Sequence, residues 1–300
     1  MNTNKLTRLL EIQNKQIGSK PSRYIYIVSE DTYACKDYIE ILKKLYKKCS
    51  KHIIICIPNK PSHGGTQPKK LFLFCKLLQY AISSENKEQL SEKMQKFCTK
   101  ACPYNKKTCT DKNCIYNKGL TDGLYKELEE IKKNSQIERP RSTKNDSFWI
   151  ACDVDNNTHK DLQEVISNAK NFGIKFAISN ISIETWFLFH FLDYENASDP
   201  KEALRDFEDY IKKRGISQPY EKTKLINKGN RTFNEKKKTL KGLESLFDLK
   251  SISHAKERTE KKNNSDNDLE IPKNPGSTMY KIIIDIEELI NNPNIPASAF

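Results

Sequence analysis

Three acidic residues stand where chemistry is done if this chain folds around a parallel sheet. Glu30 follows the β-branched and aromatic run Arg23-Tyr-Ile-Tyr-Ile-Val-Ser29, and Asp153 and Asp155 follow Ser147-Phe-Trp-Ile-Ala-Cys152. Both runs read as buried strands. Asp153 and Asp155 alternate about Val154, so both carboxylates point to one side if the strand continues through them. Carboxylates converging on a sheet edge repel one another until a divalent cation sits between them, and hard oxygen donors suit Mg²⁺ or Mn²⁺. A cation held there can activate water and stabilise the leaving oxygen of a phosphodiester. The competing reading is a cap, because Asp155 with Asn156, Asn157 and Thr158 has the composition of a helix start.

The elements that must position these acids alternate along the chain. Strands are expected at 23–29, 52–57, 147–152 and 175–179, and helices at 33–48, 70–83, 85–97, 121–133, 159–172, 183–192 and 279–290. Strand–helix alternation at this spacing implies a mostly parallel α/β sheet, whose sites lie at the carboxyl ends of its strands. We expect a polar N-terminal arm (1–20), a core (21–195) carrying a Cys-rich insertion (98–118), and a basic, mainly helical C-terminal region (196–300) packing back on the core.

The most distinctive stretch is Ser179-Asn-Ile-Ser-Ile-Glu-Thr-Trp-Phe-Leu-Phe-His-Phe191. By composition it is a loop leaving a strand, then an apolar helix with Glu184 near its start and His190 among aromatics. Glu184 there also suits the helix dipole, and His190 reads equally as a core histidine. The stretch resembles a pattern of the RloB-like family, roughly Ser-Asn-Pro-x-Phe-Glu-x-Trp-Leu-Leu-x-His-Phe. Ser179, Asn180, Glu184, Trp186, Leu188, His190 and Phe191 match it. Val28-Ser-Glu-Asp-Thr32, Cys152-Asp-Val-Asp155 and Asn274-Pro-Gly-Ser-Thr278 resemble three further family segments in the same order. The resemblance implies a TOPRIM-like core in which Glu30, Asp153 and Asp155 bind Mg²⁺ for phosphodiester chemistry, with Glu184 and His190 as further catalytic candidates. It also implies a nuclease of prokaryotic antiviral or abortive-infection defence, RNA such as tRNA being favoured over DNA. An AAA-type ATPase would then be a partner protein, since the chain has no G-x-x-x-x-G-K-[ST] of its own. The rival expectation is a non-catalytic nucleic-acid-binding or ATPase-docking sensor subunit of such a system.

Four cysteines, Cys98, Cys102, Cys109 and Cys114, fall in a run poor in apolar residues. Such a run has little core of its own, and four thiolates can enclose a structural Zn²⁺; free thiols and a regulatory disulfide are the alternatives. Cys35, Cys49, Cys56, Cys75 and Cys152 lie in apolar elements and read as core. From position 212 to 241 there are eleven Lys or Arg and two acids. Lys212, Lys213, Arg214, Lys222, Lys224, Arg231, Lys236, Lys237 and Lys238 could track a phosphate backbone, with Tyr210, Tyr220 and Phe233 stacking on bases. A solvated lysine surface is the plain alternative. The net charge of +13 over 300 residues favours a polyanionic partner. No run of ~18 apolar residues exists and the first twenty residues lack an apolar core, so we expect neither a membrane span nor a secretory signal, and a cytoplasmic protein.

Overall fold

A computed structural model describes residues 23–29, 31, 33–57, 68–85, 88–90, 92–93, 144–154, 159–195, 199–228, 231–263, 271–272 and 276–291. At 69, 70, 73, 159, 161, 223–228, 231–236 and 263 it describes the backbone alone. The expected arm, the Cys-rich insertion with all four of its cysteines, the helix at 121–133, Glu30 and Asp155 lie outside the described residues.

The core is a five-stranded sheet in the order β2-β1-β3-β4-β7. It comprises β1 (Ile25–Ser29), β2 (Ile53–Cys56), β3 (Ser147–Asp153), β4 (Ile174–Asn180) and the two-residue β7 (Gly276–Ser277). The first four run parallel and β7 is antiparallel to the end of β4. From β1 the chain passes outward to β2 and then returns across β1 to β3, so the direction of winding reverses between β1 and β3. That reversal opens a crevice beyond the carboxyl ends of these two strands.

Side-chain alternation decides which helices cover which face. Ile25, Ile27, Trp149 and Ala151 point to one face. There they meet α1 (Ala34–Leu45), α4 (Ile183–Phe189), α5 (Pro200–Lys213), α6 (Leu249–Asn263) and α7 (Tyr280–Asn291). Tyr26, Val28, Phe148 and Ile150 point to the other face, against α2 (Pro68–Ile82) and α3 (His159–Lys170). All four parallel strands are buried on both faces, which explains their continuous apolar runs. The five core cysteines are buried thiols, as expected.

The lysine-rich stretch is not helical. Residues 221–238 form an antiparallel pair, β5 (Glu221–Lys228) and β6 (Arg231–Lys238), with Glu221 opposite Lys238. Thr223, Ile226, Thr232 and Phe233 favour strand over helix. The C-terminal region is therefore mixed, with α5 before the hairpin and α6 and α7 after it.

Candidate functional site

Strand register brings three side chains to one rim. Ser29 ends β1, Asp153 ends β3 opposite Ser179 of β4, and Val154 N–H still donates to Ser179 O at 3.1 Å. Ser29, Asp153 and Ser179 share the parity of Ile27, Ala151 and Ala177, so all three face the side covered by α1 and α4. With Asp31, Cys35, Ala151, Cys152, Ile183 and Met279 they line a small cleft of about 20 Å³ at the winding reversal. That is room for one water or a bare cation.

Asp31 was not singled out in the sequence, yet it reaches this cleft. Its Oδ1 accepts from Tyr33 N–H at 2.9 Å and its Oδ2 from Cys35 N–H at 3.0 Å. It thus fastens the start of α1, satisfying amides that have no partner within the helix. The Cys35 thiol is pushed up to about 12 by burial, with the Asp31 and Asp153 carboxylates adding to this and a Ser29 hydrogen bond opposing it. In the absence of a metal ion, Cys35 is therefore a protonated wall of the cleft.

Beside the acids lies a second polar group. Glu184, in the first turn of α4, is fully buried. Its Oε1 accepts from Tyr220 OH at 2.9 Å and from Lys238 Nζ at 2.8 Å. Its Oε2 has no hydrogen-bond partner among the described residues. Burial pulls the Lys238 ammonium down, but Glu184, then Asp153 and Asp31, more than offset this and raise it. The Tyr220 phenol is raised well above its ordinary value by burial and by the same three carboxylates. Glu184 thus holds the cation that ends β6 by direct contact, and Asp153 and Asp31 act on it electrostatically. The hairpin base is fastened there: Thr239 Oγ1 and Leu240 N–H donate to Asp37 Oδ2 at 2.5 and 3.0 Å, and Thr239 N–H to Tyr220 O at 2.9 Å. Lys237 Nζ stands 4.6 Å over the Tyr33 ring.

Two expectations change with these placements. Tyr220 has no exposed surface and packs edge-on to Phe207, with ring centroids 4.9 Å apart, so it cannot stack on a base. Lys238 contacts Glu184 rather than pointing outward from the basic stretch. His190 lies in the core: its Nε2 is 3.1 Å from Tyr38 OH, its Nδ1 3.4 Å from Ser251 Oγ, and Trp186 and Phe247 face its ring. Burial, aided by the Arg258 cation, lowers it to about 3, so it is a neutral packing and hydrogen-bonding group. Lys212, Lys213 and Arg214 are exposed at the end of α5, and Lys222 and Lys237 are half-buried. Lys224, Arg231 and Lys236 lie on the hairpin strands, where the backbone alone is described.

The segment 274–278 also gains a role. Gly276 and Ser277 make β7; Thr278 N–H donates to Ile178 O and Thr278 Oγ1 accepts from Ile178 N–H, both at 2.8 Å. This edge seats Met279 in the cleft wall. A family model for RloB-like proteins matches residues 25–286, spanning the sheet, the cleft and the hairpin. The chain belongs to the RloB-like family. No curated protein and no solved structure matches this RloB-like chain.

The oxygen donors of the cleft, the carboxylates of Asp31 and Asp153 and the hydroxyls of Ser29 and Ser179, fit a hard cation. Among the described residues no three His, Cys, Asp or Glu side chains form a group arranged to hold a metal ion. The two further acids of the expected set, Glu30 and Asp155, adjoin Ser29 and Val154 in the chain but lie outside those residues. Among the described residues no helix is long and apolar enough to cross a membrane.

Proposed function

We propose that this RloB-like chain is a Mg²⁺-dependent nuclease, an effector of prokaryotic antiviral defence that cleaves RNA such as tRNA in preference to DNA. The observation that carries this reading is the approach of Asp153 and Asp31 in one cleft at the winding reversal, with the Glu184–Lys238 ion pair on the adjoining helix and hairpin. Asp153 with Glu30 and Asp155 would hold the cation, which supplies Lewis acidity toward a phosphodiester. Lys238, anchored by Glu184, places a fixed positive charge beside the same cleft, where charge develops on phosphate oxygens. Tyr220 shares the Glu184 oxygen that Lys238 holds and fixes the carboxylate in place. The basic hairpin holds the strand being cut. An AAA-type ATPase is the partner this family membership suggests, and Cys98, Cys102, Cys109 and Cys114 are a candidate Zn²⁺ clip.

The test is incubation of labelled tRNA and of single- and double-stranded DNA with Mg²⁺, Mn²⁺ or EDTA. We expect RNA scission with either metal and none with EDTA; scission indifferent to EDTA would overturn the reading. A second reading, a binding or ATPase-docking subunit without catalysis, is favoured by one observation: both oxygens of Asp31 are engaged in fastening α1. Tight nucleic-acid binding without metal-dependent scission, with the ATPase present, would select it.

A further inference from the structure

The helix that starts at the cleft carries a row of cations on its outer face. On α1 and the 3-10 helix after it (Lys47–His52), Lys36, Lys44, Lys47, Lys48 and Lys51 are exposed. Lys36, Glu40 and Lys44 follow spacings of four, a single stripe on one face of α1, and Lys47 and Lys48 follow it in the 3-10 helix. The one acid in the stripe, Glu40, is neutralised by Lys43 at 3.0 Å, and Asp37 is engaged by Thr239 and Leu240. From Lys36 to Lys44 the stripe is ~12 Å long at 1.5 Å per residue.

The stripe continues the hairpin. Lys237 lies over Tyr33 at the head of α1, and Asp37 fastens the hairpin exit one turn further on. Lys44 and Lys222 of β5 both act on the Glu244 carboxyl, which is held below its ordinary value chiefly by backbone hydrogen bonds and further by these two cations. Cys35 of the same helix lines the cleft. The base of the hairpin thus adjoins α1, whose outer face leads away from the acidic cleft.

We propose that the α1 stripe is a docking track for one phosphodiester strand of nucleic acid, guiding a single strand along Lys36, Lys44, Lys47 and Lys48 toward the Asp153 cleft. This rests on the nuclease reading and names the path its substrate takes. Cations in single file match one row of phosphates rather than the two of a duplex. A membrane surface suits the stripe less, because no large apolar residue is exposed on α1; among the described residues Phe172 and Leu249 are the ones so exposed.

The test is fluorescence anisotropy of the full chain with a labelled single strand of about 20 nucleotides in EDTA across a salt series. Lys44→Gln with Lys47→Gln is compared with Lys160→Gln with Lys170→Gln, exposed lysines of α3 on the opposite face of the sheet. The stripe pair is expected to weaken binding and reduce the salt slope by about 1.4, at ~0.7 for each phosphate no longer neutralised, while the α3 pair changes neither. Equal weakening by both pairs would overturn the track in favour of general charge. So would tighter binding of a duplex, or an effect of the stripe pair confined to vesicles containing phosphatidylserine. Because EDTA excludes metal-dependent scission, a failed track and a failed nuclease are distinguishable: either can fail while the other assay succeeds.

Discussion

Glu184 has no exposed surface and its carboxylate shares one oxygen between Tyr220 and Lys238. Removing the cation from such a pair leaves a buried charge, which costs ~3–5 kcal/mol when both partners are buried. The Lys238 side chain is 36% exposed, so water screens part of this. Lys238→Met is therefore expected to destabilise by ~1–3 kcal/mol in urea unfolding. Adding Glu184→Gln should recover part of the loss; no recovery would deny the coupling. The raised ammonium contributes stability at every pH below its ordinary 10.5, lost only as pH rises through its folded value. His190 carries the opposite sign. Its folded value of about 3 lies below the ordinary 6.5, so the unfolded chain takes up a proton first as pH falls. The stability it confers is complete above the ordinary 6.5 and falls by ~1.4 kcal/mol per pH unit below it. His190→Gln should therefore narrow its stability deficit against wild type as pH is lowered from about 7 to about 4.5; a constant deficit would contradict a buried neutral ring. Asp153 was legible because it ends an apolar run, whereas Tyr220 and Lys238 read as nucleic-acid contacts and not as partners of Glu184. Their approach to Glu184 depends on tertiary packing across tens of residues, and no local spacing encodes it.

At the scale of elements, the ends of the sheet are held by side chains far apart in the chain. Arg23, at the head of β1, forms a fully buried ion pair with Asp285 of α7, and Trp149 of β3 donates its Nε1–H to Asp285 Oδ2 at 2.7 Å. Asp285→Ala would strand a buried guanidinium and remove the indole partner, so a loss of ~3–5 kcal/mol is expected from chemical unfolding. A loss below about 1 kcal/mol, the ordinary effect of a point substitution, would show that this clasp is not a support. The four parallel strands were legible because each is buried on both faces and reads as a continuous apolar run. The hairpin was not. Its lysines favour neither state strongly, and with little apolar content to alternate, the period-two signal of a strand was weak. β7 is two residues long and makes no pattern of its own; only Asn274-Pro-Gly-Ser-Thr278 marked its place.

At the scale of the whole molecule, charge and topology act together. The winding reversal collects acids into a small cleft, while exposed cations lie at the end of α5 and on the α1 stripe. On the proposed function a polyanion would be drawn to the basic surface, and a cation in the cleft would relieve the repulsion of its phosphate by Asp153 and Asp31. Binding should therefore survive EDTA and weaken with salt, whereas cleavage should need the metal. The composition announced a polyanionic partner, but only the fold shows that the cationic surface borders the acidic cleft.

The central claim is that Asp153 anchors metal-dependent scission. The most direct measurement is the rate at which Asp153→Asn cleaves labelled RNA in Mg²⁺, with strand binding and folding checked in parallel. A loss of about 10³-fold or more, with binding kept, is predicted for removal of a charge-stabilising group of this kind. Cleavage at the wild-type rate by a folded Asp153→Asn chain would contradict the account.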